Sequence, residues 1–241
     1  MAVFPKVYSL ISGLYKYDSV KRAKSYLRPI KHALFGKSGI YAAVEHAKLL
    51  SAQKGKEIIS VLDVGAAVGD STELFLKEFP RAKVYCFEPL PDSFARLTKR
   101  IARLKNGGRA NLFNYALGNA NDKIKFYVAP YRDSSSVIPP EQSGVSGEKT
   151  ISVTIRRLDD VVCELGITHI DFMKIDVEGF EKEMLEGAKE ALKMTDHVFI
   201  EISPLRKGAR NRDYIDVFEI LHGAGFSLAG IYGDFFFTKL L

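Results

Sequence analysis

Several carboxylates follow one short apolar run, and their positions suit acid–base chemistry. The stretch that contains these carboxylates is Lys174-Ile175-Asp176-Val177-Glu178-Gly179-Phe180-Glu181. It is predicted to leave the carboxyl end of a central strand, where doubly wound sheets bind ligands. If the strand continues, alternation directs Asp176 and Glu178 to one side, while Glu181 enters the next helix. We expect Asp176 first, and Glu178 second, to steer positive charge or accept a proton. The alternative is that Asp176 braces a loop and Glu178 caps the helix.

A glycine turn between a buried strand and a helix is the second candidate feature. It occupies residues 63–71, with the sequence DVGAAVGDS. Gly65 permits a tight turn with close backbone approach, and Gly69 brings the helix and the strand together. The N–H groups around Asp70 and Ser71, together with the helix dipole, can receive an anion such as a carboxylate. This geometry predicts a ligand-binding loop.

An acidic residue at the end of the next predicted strand strengthens that interpretation. Glu88 lies 19 residues after Gly69, where a carboxylate can accept hydrogen bonds from both ribose hydroxyls of a nucleoside. Ala66 and Ala67 stand where a dinucleotide-binding turn has its middle glycine, so a nucleoside without pyrophosphate is favoured. The alternatives are a plain strand-to-helix turn with a solvated Glu88 and, for Asp63, a loop-bracing role in place of ligand binding.

Alternating strand and helix patterns must position these residues. Parallel-type strands are predicted over 58–64, 83–87, 110–115, 171–176 and 197–202, and a closing hairpin over 227–231 and 235–239. Two more strands, 123–128 and 150–155, flank a polar loop at 130–147. Helices are predicted over 71–79, 92–104, 159–165, 181–194 and 214–222. The expected fold class is α/β, with a doubly wound, mostly parallel seven-stranded sheet and a C-terminal antiparallel hairpin. Glu201, near the end of the last parallel strand, either lines an acceptor pocket or is solvated.

Short motifs in a fixed order resemble the FkbM family of methyltransferases. They are Asp63-Val64-Gly65-Ala66, Phe87-Glu88-Pro89, Ala116-Leu117-Gly118, Leu158-Asp159 and Lys174-Ile175-Asp176-Val177-Glu178-Gly179. The resemblance runs from about residue 58 to residue 201. It implies the class I methyltransferase fold, S-adenosylmethionine as the methyl donor and, commonly, a hydroxyl oxygen as the acceptor. The donor-site residues that it implies are Asp63, Gly65, Gly69, Glu88 and, beside the adenine, Ala116 and Leu117.

Neither a metal site nor a disulfide framework is predicted. Some methyltransferases use a divalent cation, but no second acidic pair with suitable spacing accompanies Asp176. Five histidines are scattered without metal-ligand spacing. Cys86 and Cys163 are isolated in apolar surroundings, no apolar run is long enough to span a membrane, and no signal-cleavage pattern follows Lys6. We therefore expect a cytoplasmic protein without a transmembrane segment.

The positive charge is concentrated in the first 50 residues. The net charge is +6, and residues 1–50 contain nine Lys/Arg against two Asp/Glu, which leaves 26 against 27 for the rest. We predict a basic helical N-terminal extension over 1–50 and a methyltransferase domain over 51–241. The basic residues are interpreted as a solvated helical face. The alternative is an arm that binds nucleic acid, anionic lipid or an acidic substrate.

These observations favour O-methylation of a hydroxyl on a small-molecule or glycan-like acceptor. An RNA or DNA methyltransferase is the second hypothesis, motivated by the basic segment. It is not favoured, because the Asp-Val-Glu-Gly sequence replaces the Asn/Asp-Pro-Pro-Tyr/Phe motif typical of amino-group methylation. A nonenzymatic S-adenosylmethionine-binding module is the third.

Overall fold

The computed structural model of the chain describes residues 39–128, 149–202 and 213–239. The strands in these ranges are β1 (Ser60–Val64), β2 (Lys83–Phe87), β3 (Ala110–Phe113), β4 (Ala116–Leu117), β5 (Asp122–Val128), β6 (Lys149–Arg156), β7 (Ile170–Ile175), β8 (Thr195–Ile200), β9 (Phe226–Ile231) and β10 (Phe235–Lys239). The α-helices are α1 (Gly39–Gln53), α2 (Asp70–Glu78), α3 (Pro91–Ile101), α4 (Leu158–Glu164), α5 (Glu181–Glu186), α6 (Lys189–Lys193) and α7 (Asp213–Gly223).

The main sheet has seven strands in the order β3-β2-β1-β7-β8-β10-β9. The first five run parallel to one another, whereas β10 runs antiparallel to both β8 and β9. This arrangement confirms the predicted fold class, including the closing hairpin. The chain moves outward from β1 to β2 and β3 and then returns to β7 on the other side of β1. The gap between β1 and β7 is therefore the topological switch point, where sheets of this kind bind ligands at the carboxyl ends of the strands.

Apolar side chains alternate across the central strands and form one core on each face of the sheet. All residues of β7 are buried, and its neighbours Phe172 and Met173 belong to opposite cores. The core around Met173 is covered by α4, α5, α6 and α7, and the core around Phe172 by α1, α2 and α3. The result is a three-layer α/β/α arrangement that fixes the strand ends around the switch point.

One predicted strand is shorter in the structure, and two others lie in a second sheet. The predicted strand 110–115 ends at Phe113, where the chain turns and the side-chain amide of Asn114 donates to the carbonyl oxygen of Glu88 (2.8 Å). The predicted strands 123–128 and 150–155 are present as β5 and β6, but they form a separate three-stranded sheet with β4. The small sheet thus lies outside the parallel series.

The predicted helix 181–194 is two short helices, α5 and α6, separated at Gly187. A Cβ atom on Gly187 would lie 1.8 Å from the carbonyl oxygen of Gly118, so this backbone contact requires a glycine. Asp159 then caps α6, since its Oδ1 accepts from the N–H groups of Glu190 (2.9 Å) and Ala191 (3.0 Å). The prediction of one continuous helix was wrong because these tertiary contacts interrupt it.

Helix α1 runs across the predicted boundary at residue 50 and contributes Ala43, Val44 and Ala47 to the core. Residues 1–38 and the loop 130–147 lie outside the described ranges, so the division into an extension and a domain stays a prediction. Within the described ranges, no helix is both long enough and apolar enough to cross a membrane.

Candidate active site

The loop between β1 and α2 has the left-handed backbone that its glycines predict. Gly65 and Gly69 have φ angles of 77° and 94°, and Ala67 between them has 49°. The Gly65 N–H donates to the carbonyl oxygen of Phe87 (3.0 Å), which holds the loop against the end of β2. A Cβ atom on Gly65 would lie 1.8 Å from the carbonyl oxygen of Asp176. The loops that follow β1 and β7 are therefore in direct backbone contact.

Asp63 supports this loop from within the core. Its side chain is fully buried, and Oδ2 accepts hydrogen bonds from the hydroxyls of Ser71 (2.7 Å) and Thr72 (2.6 Å). The side chain does not line the cavity at the strand ends. Of the two roles left open for Asp63, loop bracing agrees with these contacts.

A cavity of about 600 Å³ opens at the carboxyl ends of β1, β7 and β8. Among the predicted site residues, its wall includes Gly65, Asp70, Ser71 and Asp176. Helix α2 begins beside it, and its first backbone bond joins the Glu73 N–H to the Gly69 carbonyl oxygen (2.9 Å). The amides of the preceding turn are left without a helical partner, which favours a negatively charged group there. The predicted anion-binding helix start thus faces the cavity.

Glu88 joins the glycine loop to the start of α3. Its Oε2 accepts from the Ala67 N–H (2.9 Å) and its Oε1 from the Leu90 N–H (2.8 Å). Glu88 is 5% exposed and is not among the residues that line the cavity. Burial raises the pKa of Glu88 to about 7, against the opposing effect of the two N–H donors. Each carboxylate oxygen has a further lone pair with which to accept a hydrogen bond. Ribose binding by Glu88 stays a prediction.

Lys174 connects the strand ends that form the site. Its Nζ donates to the carbonyl oxygen of Gly65 (2.6 Å) and lies 3.2 Å from Asp176 Oδ2 and 3.6 Å from Asp63 Oδ1. Burial by itself lowers the pKa of Lys174, but the charges of Asp176 and Asp63 outweigh it and the pKa is raised. Lys174 therefore stays protonated and holds Asp176, whose side chain is 30% exposed, at the cavity wall.

Glu201 and Asp234 line the same cavity as Asp176. Ile175 of β7 pairs with Ile200 of β8, and the Glu201 N–H donates to the Ile175 carbonyl oxygen (2.9 Å). This register places Glu201 next to Asp176 at the ends of neighbouring strands. Burial raises the pKa of Glu201 to about 8, and the charges of Asp176 and Asp234 raise it as well. Asp234 was not predicted as a site residue, because its place depends on the pairing of β10 with β8.

Glu178, Ala116 and Leu117 lie off the cavity wall. β7 ends at Ile175, so strand alternation does not relate Glu178 to Asp176 as expected, and Glu178 has a left-handed φ of 56°. Ala116 and Leu117 form β4 and are buried. A catalytic role for Glu178 and donor contacts by Ala116 and Leu117 stay predictions.

Three side chains close enough to share a metal ion lie at the opposite, amino-terminal ends of the central strands. One ligand atom each of His169, Asp171 and Asp196 lies within 4.8 Å of the others. Asp171 Oδ2 already accepts from the N–H groups of Ile59 and the next residue (2.8 Å each), and Lys56 Nζ lies 3.2 Å from Asp196. These contacts fasten the amino-terminal ends of the strands, and the group is remote from the cavity.

Comparison with known proteins identifies a family match over most of the chain. Residues 63–228 match the family model described as the methyltransferase FkbM domain. The 2-O-methyltransferase NoeI of Sinorhizobium fredii is 33% identical over 155 residues, which cover 59% of this chain and 63% of that protein. The hexuronic acid methyltransferase AglP of Haloferax volcanii is 29% identical over 140 residues, covering 58% of this chain and 54% of that protein. The chain thus spans less than two thirds of the length of either relative.

Two further comparisons agree with the family match and with the fold. The 31-O-demethyl-FK506 methyltransferase FkbM of Streptomyces tacrolimicus is 29% identical over 157 residues, which cover 54% of this chain and 60% of that protein. A solved structure of a candidate rRNA methylase from Clostridium thermocellum has a TM-score of 0.53 and 10% identity, covering 85% of this chain and 97% of that one. At that identity the structural similarity shows the fold alone.

Proposed function

Because the chain belongs to the FkbM methyltransferase family, we propose that it transfers a methyl group from S-adenosylmethionine to a hydroxyl oxygen of a small-molecule or glycan-like acceptor. The observation that carries this proposal is a single cavity whose wall joins the glycine loop to Asp176. Methyl transfer is an in-line displacement, so the donor and the attacking oxygen must be aligned in one enclosed space. The wall offers a donor-binding side and an acceptor side.

The donor-binding side consists of the glycine loop and the start of α2, with the buried Glu88 bonded to that loop. The free amides of α2 suit the carboxylate of the methionine portion, and Glu88 suits the ribose hydroxyls. Ala66 and Ala67 occupy the place of a phosphate-admitting glycine, which fits a nucleoside without pyrophosphate. S-adenosylmethionine supplies the methyl group on a positively charged sulfonium, and the acidic wall around Asp176 suits that charge.

The acceptor side is formed by Asp176 and the carboxyls beside it. Asp176 can orient a hydroxyl group and accept its proton, while Lys174 holds the carboxylate in place at 3.2 Å. The names of the relatives from Sinorhizobium fredii and Streptomyces tacrolimicus both specify an oxygen position, and AglP is named for a hexuronic acid. These names support an oxygen acceptor, including a sugar hydroxyl.

Two measurements test the proposal. Calorimetric titration of the full chain with S-adenosylmethionine and S-adenosylhomocysteine should show binding of both. Transfer of labelled methyl from the donor into a small-molecule extract should give a labelled ether, identified by mass spectrometry. Asp176→Asn should lower turnover by about 100-fold while changing donor affinity far less. Absence of binding by both nucleosides would refute the proposal.

The same assays separate the two other hypotheses. Label in the nucleic-acid fraction, with affinity that falls steeply with salt, would indicate an RNA or DNA methyltransferase. The basic residues that motivate this hypothesis precede residue 39 and lie outside the described ranges. Donor binding without transfer to any fraction would indicate a nonenzymatic module. A chelator should leave transfer unchanged, because the proposed site uses no metal. A cytoplasmic location stays a prediction.

A further inference from the structure

The wall around Asp176 carries an excess of carboxyl groups. The Lys174 ammonium lies 3.2 Å from Asp176 and 3.6 Å from Asp63, while Glu201 and Asp234 line the same cavity. Two further cations line the cavity, but both lie by other carboxylates: Arg100 pairs with Asp70 (2.5 Å) and Glu73 (2.7 Å), and Lys77 Nζ lies 3.8 Å from Glu78. Lys174 is thus the cation in contact with the group around Asp176. Neighbouring carboxylates in a partly buried place disfavour simultaneous ionisation, which favours a proton shared by two of them.

Backbone register makes Asp176 and Glu201 the pair that shares it. The Asp176 N–H donates to the Val64 carbonyl oxygen (3.1 Å), and the Glu201 N–H donates to the Ile175 carbonyl oxygen (2.9 Å). Asp176 and Glu201 therefore directly follow the ends of the neighbouring strands β7 and β8, and both line the same cavity. Burial first, and then the charges of Asp176 and Asp234, raise the pKa of Glu201 to about 8, with Lys174 acting in the opposite direction. Near neutral pH Glu201 accordingly keeps its proton.

We propose that Asp176 and Glu201 together are the proton acceptor of the reaction, and that the positive charge of the incoming methyl donor expels the proton they share. This inference rests on the proposed function. A sulfonium beside the pair stabilises its doubly ionised form, so the proton leaves to solvent when the donor binds. The pair is then ready to take a proton before the acceptor reacts.

The chemical step balances with this assignment. The acceptor oxygen forms a bond to the methyl carbon, the carbon–sulfur bond breaks, and the sulfur keeps the electron pair as a neutral thioether. The hydroxyl proton passes to the carboxyl pair, whose charge changes from −2 to −1 as the sulfonium charge is lost. The total charge of the cavity is therefore the same before and after transfer, which limits the reorganisation that its surroundings must undergo.

Proton release on donor binding tests the inference without an acceptor. Calorimetric titrations of the full chain at pH 7.5, in buffers with different heats of ionisation, give the number of protons released. S-adenosylmethionine should release about half a proton or more per molecule bound. S-adenosylhomocysteine, which lacks the sulfonium charge, should release far less. Any contribution from the nucleoside's own amino group is shared by the wild type and its variants.

Three variants complete the test. Glu201→Gln and Asp176→Asn each leave a single carboxyl in the pair and should lose the release specific to S-adenosylmethionine. Glu219→Gln makes the same change on an exposed residue of α7 and should keep it. Equal release by wild type and by both pair variants, with donor binding intact, would overturn the inference and leave the proposed function standing. Failure of wild type to bind either nucleoside would overturn both, and thermal unfolding of each variant verifies that it folds.

Discussion

Glu88 illustrates how single carboxylates set the geometry of this site. Each of its oxygens accepts one backbone N–H, from Ala67 at 2.9 Å and from Leu90 at 2.8 Å. Backbone N–H groups of two loops thus bond to one buried side chain, and each of its oxygens can accept a further hydrogen bond. A carboxylate performs this task better than its amide, because a glutamine would direct an NH₂ group at one of the two N–H donors.

We therefore expect Glu88→Gln to weaken donor binding about tenfold at pH 8. One hydrogen bond to a charged group contributes about 1.5–3 kcal/mol, and tenfold corresponds to about 1.4 kcal/mol. Calorimetry with S-adenosylhomocysteine measures the change. Asp92→Asn, an exposed change in the first turn of α3, serves as the control. Equal affinities of the two variants would argue against the role assigned to Glu88.

Residues of the site were predictable where they lie at a fixed offset from one strand. Gly65, Asp70 and Ser71, which line the cavity, were predicted in this way, because a βα turn has local sequence requirements. The neighbouring positions of Asp176 and Glu201 depend on β7 pairing with β8, which no local pattern specifies. Asp234 depends in addition on insertion of β10 between β8 and β9. A charged residue at a hairpin turn was the only signal, and most such residues are solvated.

At the scale of elements, the site depends on how closely the loops after β1 and β7 approach each other. Gly65 is in the left-handed region at φ 77°, and a Cβ atom there would lie 1.8 Å from the Asp176 carbonyl oxygen. Gly65→Ala should therefore lower the free energy of unfolding by about 2 kcal/mol or more and displace the loop that carries Asp176. Donor binding should be lost even where the variant is folded. Chemical denaturation and calorimetry measure the two effects.

Gly108→Ala is the matched control for this change. Gly108 lies in the short 3-10 turn Gly107–Arg109, and no heavy atom comes within 4 Å of a Cβ atom placed on it. Its effect on stability should stay within about 0.5 kcal/mol. If Gly65→Ala were as mild as Gly108→Ala, close contact between the two loops would not be a requirement of the site.

Element types were more predictable than element limits. Hydrophobic periodicity correctly located the strands of the main sheet, since each needs a buried run of a certain length. The same periodicity continued through Gly187 and predicted one helix where there are two. The interruption comes from the Gly118 carbonyl oxygen, a contact made across 69 residues of sequence. Amphipathic patterns report which side of a segment is buried, whereas backbone contacts of this kind determine where the segment ends.

At the scale of the whole molecule, α1 is fastened to the sheet through a buried histidine. His197 in β8 is 1% exposed, and its ring nitrogens lie 3.1 Å from Ser51 Oγ of α1 and 2.9 Å from Thr238 Oγ1 of β10. Burial lowers the pKa of His197 to about 4. The unfolded chain has a histidine pKa of about 6.5, so protonation favours unfolding. The stabilisation is complete above pH 6.5 and is lost as the pH falls towards 4.

We expect the protonation of His197 to lower the free energy of unfolding by about 2 kcal/mol when the pH falls from 7.5 to 5. Glu88 and Glu181 act in the opposite sense. Burial raises the pKa of each to about 7, so their contribution is present below pH 4.5 and is lost as the pH rises through 7. Comparison of wild type with His197→Gln by urea denaturation isolates the histidine, because the carboxyls are common to both proteins. The variant should lose most of the acid sensitivity.

The exposed His222→Gln in α7 is the control for this comparison. It should leave the dependence of stability on pH close to that of wild type. Parallel pH curves for wild type and His197→Gln would mean that His197 does not remain neutral in the folded protein.

The wall of the cavity is assembled from distant parts of the chain, and this has a consequence for biosynthesis. Gly39 packs against the Tyr232 carbonyl oxygen, where a Cβ atom would come within 2.0 Å, and Asp234 completes the wall beside Glu201. A chain that leaves the ribosome from its N-terminus makes the glycine loop early but gains this wall only when β9 and β10 have emerged. The acceptor side of the cavity is therefore completed only at the end of synthesis, well after the glycine loop has been made.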